Sequence, residues 1–276
     1  ARFNPVFVIS GDTDFGSSKT VEYYLKVLEI AKGLLPSSLT TLHLQPHAVL
    51  PEEIVTSPHL DFYMYQSGHM KSEQNLPYVL AKRCLEYSVK RPIVNGEPCY
   101  EGHPYGFTKE GRFRVFDVRK AIWQSLLSGA SAGVSYGAHG IWCWHREEAE
   151  FKGVEFSGEP FEWRVALSFD GAWEASFAKF IFERFKLFGL EPANELLVGV
   201  PEEIRLGITL DQKRFALYAP LAQTVTVSFD LREYDVLGVN LEAKRFFSPL
   251  LRFAKDSTTL FLPPFHSDIL FVGIRY

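Results

Sequence analysis

Cysteine is scarce in this chain: Cys84, Cys99 and Cys143 are the only three among 276 residues, and no two form a C-x-x-C pair. An odd, scattered set excludes a disulfide framework and a zinc knuckle, and a reducing compartment is its simplest setting. Basic runs are lacking too. Lys and Arg number 29 against 33 Asp and Glu, a net charge of -4, so no positive stripe exists to follow a phosphate backbone and nucleic acid is not an expected partner. Apolar runs are short: nothing approaches the about 20 residues of a membrane helix, and residues 1–20 have no signal-peptide layout. Neither a membrane nor a repeat architecture is expected, and the expected localisation is cytoplasmic, on the cysteines alone.

What the chain does have is apolar mass. It is 46% hydrophobic, enough for one large core or for a large and a small domain. Aromatic content is high at 15%, with 24 Phe, 12 Tyr and 5 Trp. Most of these rings fill the core, but Trp and Tyr are also the flat surfaces on which sugar rings stack.

Residues 1–192 alternate short apolar runs with amphipathic stretches. Val6 to Ile9 is a continuous apolar run closed by Ser10-Gly11, as expected of a strand buried on both faces. Val21, Tyr24, Leu25 and Leu28 then recur at helical spacing, with Thr20 as expected N-cap and Gly33 and Pro36 ending the helix. The unit repeats: strands near residues 40, 62, 93 and 134, with helices through Leu76–Cys84, Val115–Leu126 and Phe177–Phe188. Such alternation predicts a parallel sheet. Residues 193–276 instead carry short strands of alternating pattern, as in Thr224 to Asp230, and predict a small all-β sandwich.

In a parallel α/β sheet, functional groups gather at the carboxyl ends of the strands. Those ends are unusually polar here: Gly11-Asp12-Thr13-Asp14, Gln66-Ser67-Gly68-His69, Gly96-Glu97, and the segment from Gly137 to His145 with His139, Trp142 and Trp144. Two acids on one rim can do what glycoside hydrolysis requires, one protonating the leaving oxygen while the other attacks the anomeric carbon or activates water. Asp12 and Glu97 are 85 residues apart, room for three strand–helix units of about 30 residues each, which sets them across a barrel mouth.

The segments "NPVFVISGDTDF", "DFYMYQSGH", "RPIVNGEPCYEG" and "LLSGASAGVSYGAHGIWCW", in this order and at these intervals, resemble the apiosidase-like family of glycoside hydrolases. The resemblance runs from residue 4 to about 190. It implies a fold class, a (β/α)8 TIM barrel of the retaining glycosidase clan with a trailing β domain, of which this chain holds strands four to eight. It also implies Asp12 as acid/base, Glu97 as nucleophile, and Gln66, His69, Tyr136, His139 and Trp142 as sugar contacts, with no metal and no cofactor. One departure is that the wider clan's Asn-Glu pair on strand four is replaced by Gly11-Asp12. The implied substrates are plant cell-wall oligosaccharides such as pectin side chains, and the implied further partner is an N-terminal barrel segment of roughly 110 to 170 residues.

Each candidate has a structural alternative. Asp12 could cap the following helix, with Asp14 the better capping residue. Glu97 could pair with Arg91 or Arg119, and Glu101, in the same loop, could take its role. Arg112, Arg114 and Arg119 are expected on a solvated helix face. Trp142 and Trp144 are expected to alternate on a strand, one toward the pocket and one toward the core. "GASAG" (129–133) has the spacing of a nucleophile elbow but runs from helix to strand, the reverse of what that motif requires. His43 and His47 flank Pro46, which excludes a helical metal pair. Two rival functions stand beside the hydrolase: a metal-dependent barrel hydrolase using His43, His47, His69 or His139 with Asp12, and a barrel that only binds carbohydrate.

Overall fold

The computed structural model describes residues 4–106, 108, 110–220, 223–262 and 267–276. Five strands come first in chain order along an arc: β1 (Phe7–Val8), β2 (Thr40–Thr41), β3 (Tyr63–Gln66), β4 (Ile93–Glu97) and β5 (Gly133–Val134), paired in parallel as two sheets, β1 with β2, and β4 with β3 and β5. A bond from the Asp61 N–H to the Thr40 carbonyl, and one from the Thr40 N–H to the Asp61 carboxylate, join β2 to the start of β3. Parallel bridges Thr13–Leu44 and Glu101–Ala138 carry the pairing beyond the strand ends, so the loops there are built as a rim. Between the strands lie α1 (Ser18–Leu34), α2 (Glu52–Val55), α3 (Leu76–Leu85) and α4 (Val115–Leu126). The short helices α5 (Val154–Ser157) and α6 (Trp163–Ala166) follow β5, and α7 (Gly171–Phe185) closes this part.

Local chemistry explains the element ends. Ser17, not Thr20, is the N-cap of α1: its hydroxyl accepts from the Thr20 N–H at 3.2 Å. Pro77 sits in the first turn of α3, where its missing N–H costs nothing. Leu28, Leu42, Ile54, Tyr63, Leu80 and Ile93 make one buried core between the arc and its helices.

The rest of the chain is antiparallel. Its strands are β6 (Leu190–Pro192), β7 (Leu197–Val198), β8 (Arg205–Thr209), β9 (Arg214–Ala219), β10 (Val225–Val227), β11 (Asp235–Asn240), β12 (Arg245–Phe247), β13 (Leu250–Phe253), β14 (Thr258–Phe261) and β15 (Ile269–Ile274). One sheet of six strands runs β12-β11-β15-β9-β8-β6, and one of four runs β13-β14-β10-β7. Leu206, Phe215, Leu217 and Phe271 of the larger sheet pack against Val225, Val227 and Leu260 of the smaller one. The alternate residues Ala216, Tyr218, Val239, Leu270 and Val272 face α4 and α7, with Trp123 and Ile181. The period-2 alternation of strands thus makes one sheet serve two cores.

The two parts are also tied by charge. Arg119 of α4 is buried, donating to Asp268 Oδ1 at 2.7 Å and lying 3.5 Å from Glu174 of α7. The expected solvated face is therefore corrected for Arg119 and Arg112, while Arg114 is exposed as expected. Arg119 is an internal clamp, Arg112 bonds the Gly102 and Glu159 carbonyls, and Arg114 is the N-cap of α4.

The parallel arc does not close on itself among the described residues. At one end, Val6 and Val8 of the first strand's segment and Tyr23, Val27, Ile30 and Leu34 of α1 are exposed. At the other, Trp173, Phe180 and Phe188 along and just after α7 are exposed.

Candidate functional site

Glu97 owes its direction to a bulge. In a regular strand Ile93, Asn95 and Glu97 would share a face. Ile93 and Asn95 do point to the helices, Asn95 donating to Ser125 of α4 at 2.9 Å. Pairing with β3 then runs Tyr65–Asn95 and Gln66–Glu97, leaving Gly96 as the extra residue. That single insertion turns Glu97 to the opposite face, among the rim groups. Gly96 itself lies so close to Met64 that a Cβ there would stand 2.3 Å from its sulfur.

Around Glu97 the rim groups converge. His43, just past β2, places Nε2 3.1 Å from Glu97 Oε2 and Nδ1 3.2 Å from Asp12 Oδ1. His69 Nε2 lies 2.9 Å from Glu97 Oε1. Because the Tyr100 backbone N–H donates to His69 Nδ1 at 3.3 Å, Nε2 carries the proton of the neutral ring and donates to the carboxylate. Gln66 donates to Asp12 Oδ1 at 3.3 Å and reaches Glu97 as well. Tyr100 bonds Glu97 through its hydroxyl, and its ring lies against His69 with centroids 4.6 Å apart. Gly137 makes that fit: a Cβ there would meet the Tyr100 ring at 2.0 Å.

A carboxylate oxygen of Asp12, one of Glu97 and a His43 nitrogen all lie within 4.8 Å of one another. The two acids differ in setting: the Asp12 side chain is 65% exposed and that of Glu97 18%. Burial alone would push the Glu97 carboxyl up, but the hydrogen bonds from His43 and His69 outweigh it and hold the group well below the usual carboxylate range. The bond to Glu97 likewise raises His43 against its own desolvation. Asp12 has a left-handed backbone, φ 41°, uncommon outside glycine though tolerated by Asp, and a conformation that collects at functional sites.

The capping alternative fails for both acids near α1, since Ser17 caps it and Asp14, among the described residues, accepts from the Gly16 N–H. Arg91 is taken by the Val55 and Ser57 carbonyls and Arg119 by Asp268, so neither pairs with Glu97. Glu101 is buried at the N-terminus of α7, accepting from the Gly171 N–H at 2.7 Å and the Tyr136 hydroxyl at 2.9 Å. Tyr136 therefore meets Glu101 rather than the Asp12–Glu97 pair. His139 lies fully buried in a second row of rings, where His69 and His103 stack at 4.3 Å, His103 and His139 lie tilted at 4.7 Å, and His139 and Trp142 stack at 6.4 Å. Burial lowers His103 to about 4 and His139 to about 3, so both are neutral at pH 7.

Trp142 is half exposed at the end of that row. Residues 139–144 form turns rather than a strand, and Trp142 and Trp144 are both exposed, which corrects the expected alternation. His47 is drawn off to Glu73 at 3.0 Å. Of the residues that touch the two acids, sequence reasoning assigned no sugar role to His43 and overlooked Tyr100. Position at a strand end could have found His43, but nothing in the local sequence announces Tyr100.

Two solved structures share this architecture. A glycoside hydrolase aligns over 98% of this chain at 18% identity with a TM-score of 0.81. A glycoside hydrolase of family 5 from Bacteroides vulgatus aligns over 99% at 17% identity with a TM-score of 0.82. The chain spans 64% and 63% of their lengths, and the likeness makes the parallel part barrel-like with a sheet-rich region behind it. No curated protein matches the chain. The profile of the apiosidase-like catalytic domain matches residues 1–189, and with the rim of acids and imidazoles falling inside that span, the chain belongs to the apiosidase-like catalytic-domain family.

Proposed function

We propose that this protein is a retaining glycosidase acting on plant cell-wall oligosaccharides such as pectin side chains, with Asp12 as acid/base and Glu97 as nucleophile. The observation that carries the reading is the approach of the two carboxylates within 4.8 Å across an imidazole. Retaining enzymes space their carboxyl groups about 5 to 5.5 Å apart and inverting ones about 6.5 to 9.5 Å. The roles follow from environment. A carboxylate kept ionised by two imidazoles is fit to attack and unfit to donate a proton, which favours Glu97 as nucleophile. Asp12, open to the cleft, is placed to protonate the leaving oxygen and then to draw a proton from the water that releases the sugar.

The five strands form, on this proposal, one arc of an eight-stranded barrel whose remaining strands cover the exposed faces at β1, α1 and α7. Action on imported oligosaccharides in the cytoplasm belongs to the same reading and rests on the three free thiols. The test is turnover of pectin-derived oligosaccharides with the anomer of the first product followed by NMR. Retention, with kcat falling at least about 100-fold in Glu97→Gln, is expected. Inversion, or unchanged turnover in that variant, overturns the assignment.

A second reading has one observation in its favour: Asp12, His43 and Glu97 also meet the spacing of a three-ligand metal site. His43 Nε2 faces Glu97, and Nδ1, 3.2 Å from Asp12 Oδ1 but without a directed hydrogen bond among the described residues, is the nitrogen open to an ion. Activity that survives exhaustive chelation supports the two-carboxylate reading. Loss restored by zinc supports the metal.

A further inference from the structure

The rim carries an aromatic surface that the Asp12–Glu97 chemistry does not use. Trp144 is 54% exposed, and its ring stacks on Trp163 with centroids 4.5 Å apart and planes 12° from parallel. The Arg164 guanidinium lies 4.3 Å from the Trp163 ring centroid, so Trp163 is held between two partners while Trp144 has no second ring partner among the described residues. Trp144 also has a left-handed backbone, φ 50°, a costly state for a bulky side chain. The chain bears that cost to hold a large apolar ring toward water.

The pair is fastened to the catalytic rim. The His139 N–H bonds the Glu101 carbonyl, the His145 N–H the Gly140 carbonyl, and the Trp163 N–H the His145 carbonyl, at 2.8, 2.9 and 2.9 Å. An open groove of about 950 Å³ adjoins it, lined by Arg146, Glu147, Glu148, Glu159, Glu162 and Arg164 among others. A stacked indole pair beside a groove of charged side chains is unlike the core of a protein interface, which is depleted of charge. It suits a sugar: the ring takes the C–H face and the charged groups take the hydroxyls.

Resting on the glycosidase reading, we propose that Trp144, backed by Trp163 and Arg164, is an outer binding platform for neutral sugar units of an oligosaccharide whose scissile bond lies at Asp12 and Glu97. The platform makes affinity depend on chain length. The test titrates pectin-derived oligosaccharides of two to six units against the Glu97→Gln chain, alone and with Trp144→Asn or Trp144→Phe. Asn tolerates the left-handed backbone while removing the ring, and Phe keeps a ring; thermal melting checks that both fold. The expected result is a hexasaccharide-to-disaccharide affinity ratio that falls about three- to tenfold in Trp144→Asn and is largely kept in Trp144→Phe. A ratio unmoved by Trp144→Asn overturns the platform and leaves the glycosidase reading standing if the unsubstituted chain still turns over substrate. Absence of both binding and turnover overturns the two together. Protection of tryptophan emission from acrylamide by hexasaccharide, in the Glu97→Gln chain and not when Trp144→Asn is added to it, is the second measurement.

Discussion

His69 shows how one proton placement decides a site. Its Nδ1 is occupied by the Tyr100 N–H, so its Nε2–H must face Glu97. Removing that donor in His69→Ala should let the Glu97 carboxyl rise toward its ordinary range. The acid limb of the kcat/KM profile should then move to higher pH, with kcat/KM down about 10- to 100-fold for a charged hydrogen bond of about 1.5 to 3 kcal/mol. His69→Gln, which keeps a donor, should recover part of the loss. An unmoved limb in His69→Ala counts against the bond.

His103 and His139 make a separate prediction about stability, because both are buried neutral. The unfolded chain takes up protons at these histidines from about pH 6.5 downward. The folded chain does so only near pH 4 and pH 3. Stability should therefore fall as pH drops from about 6.5 to about 4, by up to about 1.4 kcal/mol per pH unit for each. His43, with its raised pKa, acts in the opposite sense: its contribution is full below about pH 6.5 and lost as pH rises through its folded value. Glu97, held low, loses its contribution only below about pH 4.3. Denaturant unfolding between pH 7 and 4.5 should show the decline, flattened in His103→Gln, and a flat wild-type curve would refute it.

Elements act here through their ends. The bulge in β4 aims Glu97, and it depends on Gly96 because Met64 occupies the space of a Cβ. Gly96→Ala should displace Met64 or β4 and lower activity more than stability, as measured by kcat beside the melting temperature. Equal, small effects on both would mean that the strand absorbs the methyl. At α7 the helix N-terminus is met by the Glu101 carboxylate, whose pKa burial raises and the Tyr136 and Gly171 bonds partly lower. Glu101→Ala leaves two donors without their acceptor and should destabilise by about 1 to 3 kcal/mol. Glu101→Gln keeps an acceptor and avoids a buried charge, so it should cost less. The reverse order of the two variants would contradict the capping account.

At the scale of the molecule, the larger sheet and the helices α4 and α7 share a core and a buried ion cluster of Arg119, Asp268 and Glu174, to which Tyr218 donates at 3.0 Å. Breaking such a cluster from one side strands a charge, which costs about 3 to 5 kcal/mol. Asp268→Ala should lower the melting temperature and split calorimetric unfolding into two transitions, one for each part. A single unshifted transition would show that packing alone couples them. The exposed apolar faces at both ends of the parallel arc should bind a hydrophobic dye. That signal should fall when three further strand–helix units are joined ahead of the chain.

The sequence by itself determined the alternation of strand and helix, the change to antiparallel strands near residue 190, and the polar strand ends where Asp12, Gln66, His69 and Glu97 gather. These are local: apolar period, caps and breakers are written in neighbouring residues. Only the tertiary structure decided that Arg119 is interior, that Glu101 caps α7, that Trp144 lies in a turn against Trp163, and that His43 bridges the two acids. Each of these is a contact between residues far apart in the chain. Burial and charge pairing are properties of the assembled neighbourhood, and no single stretch of sequence contains its partners.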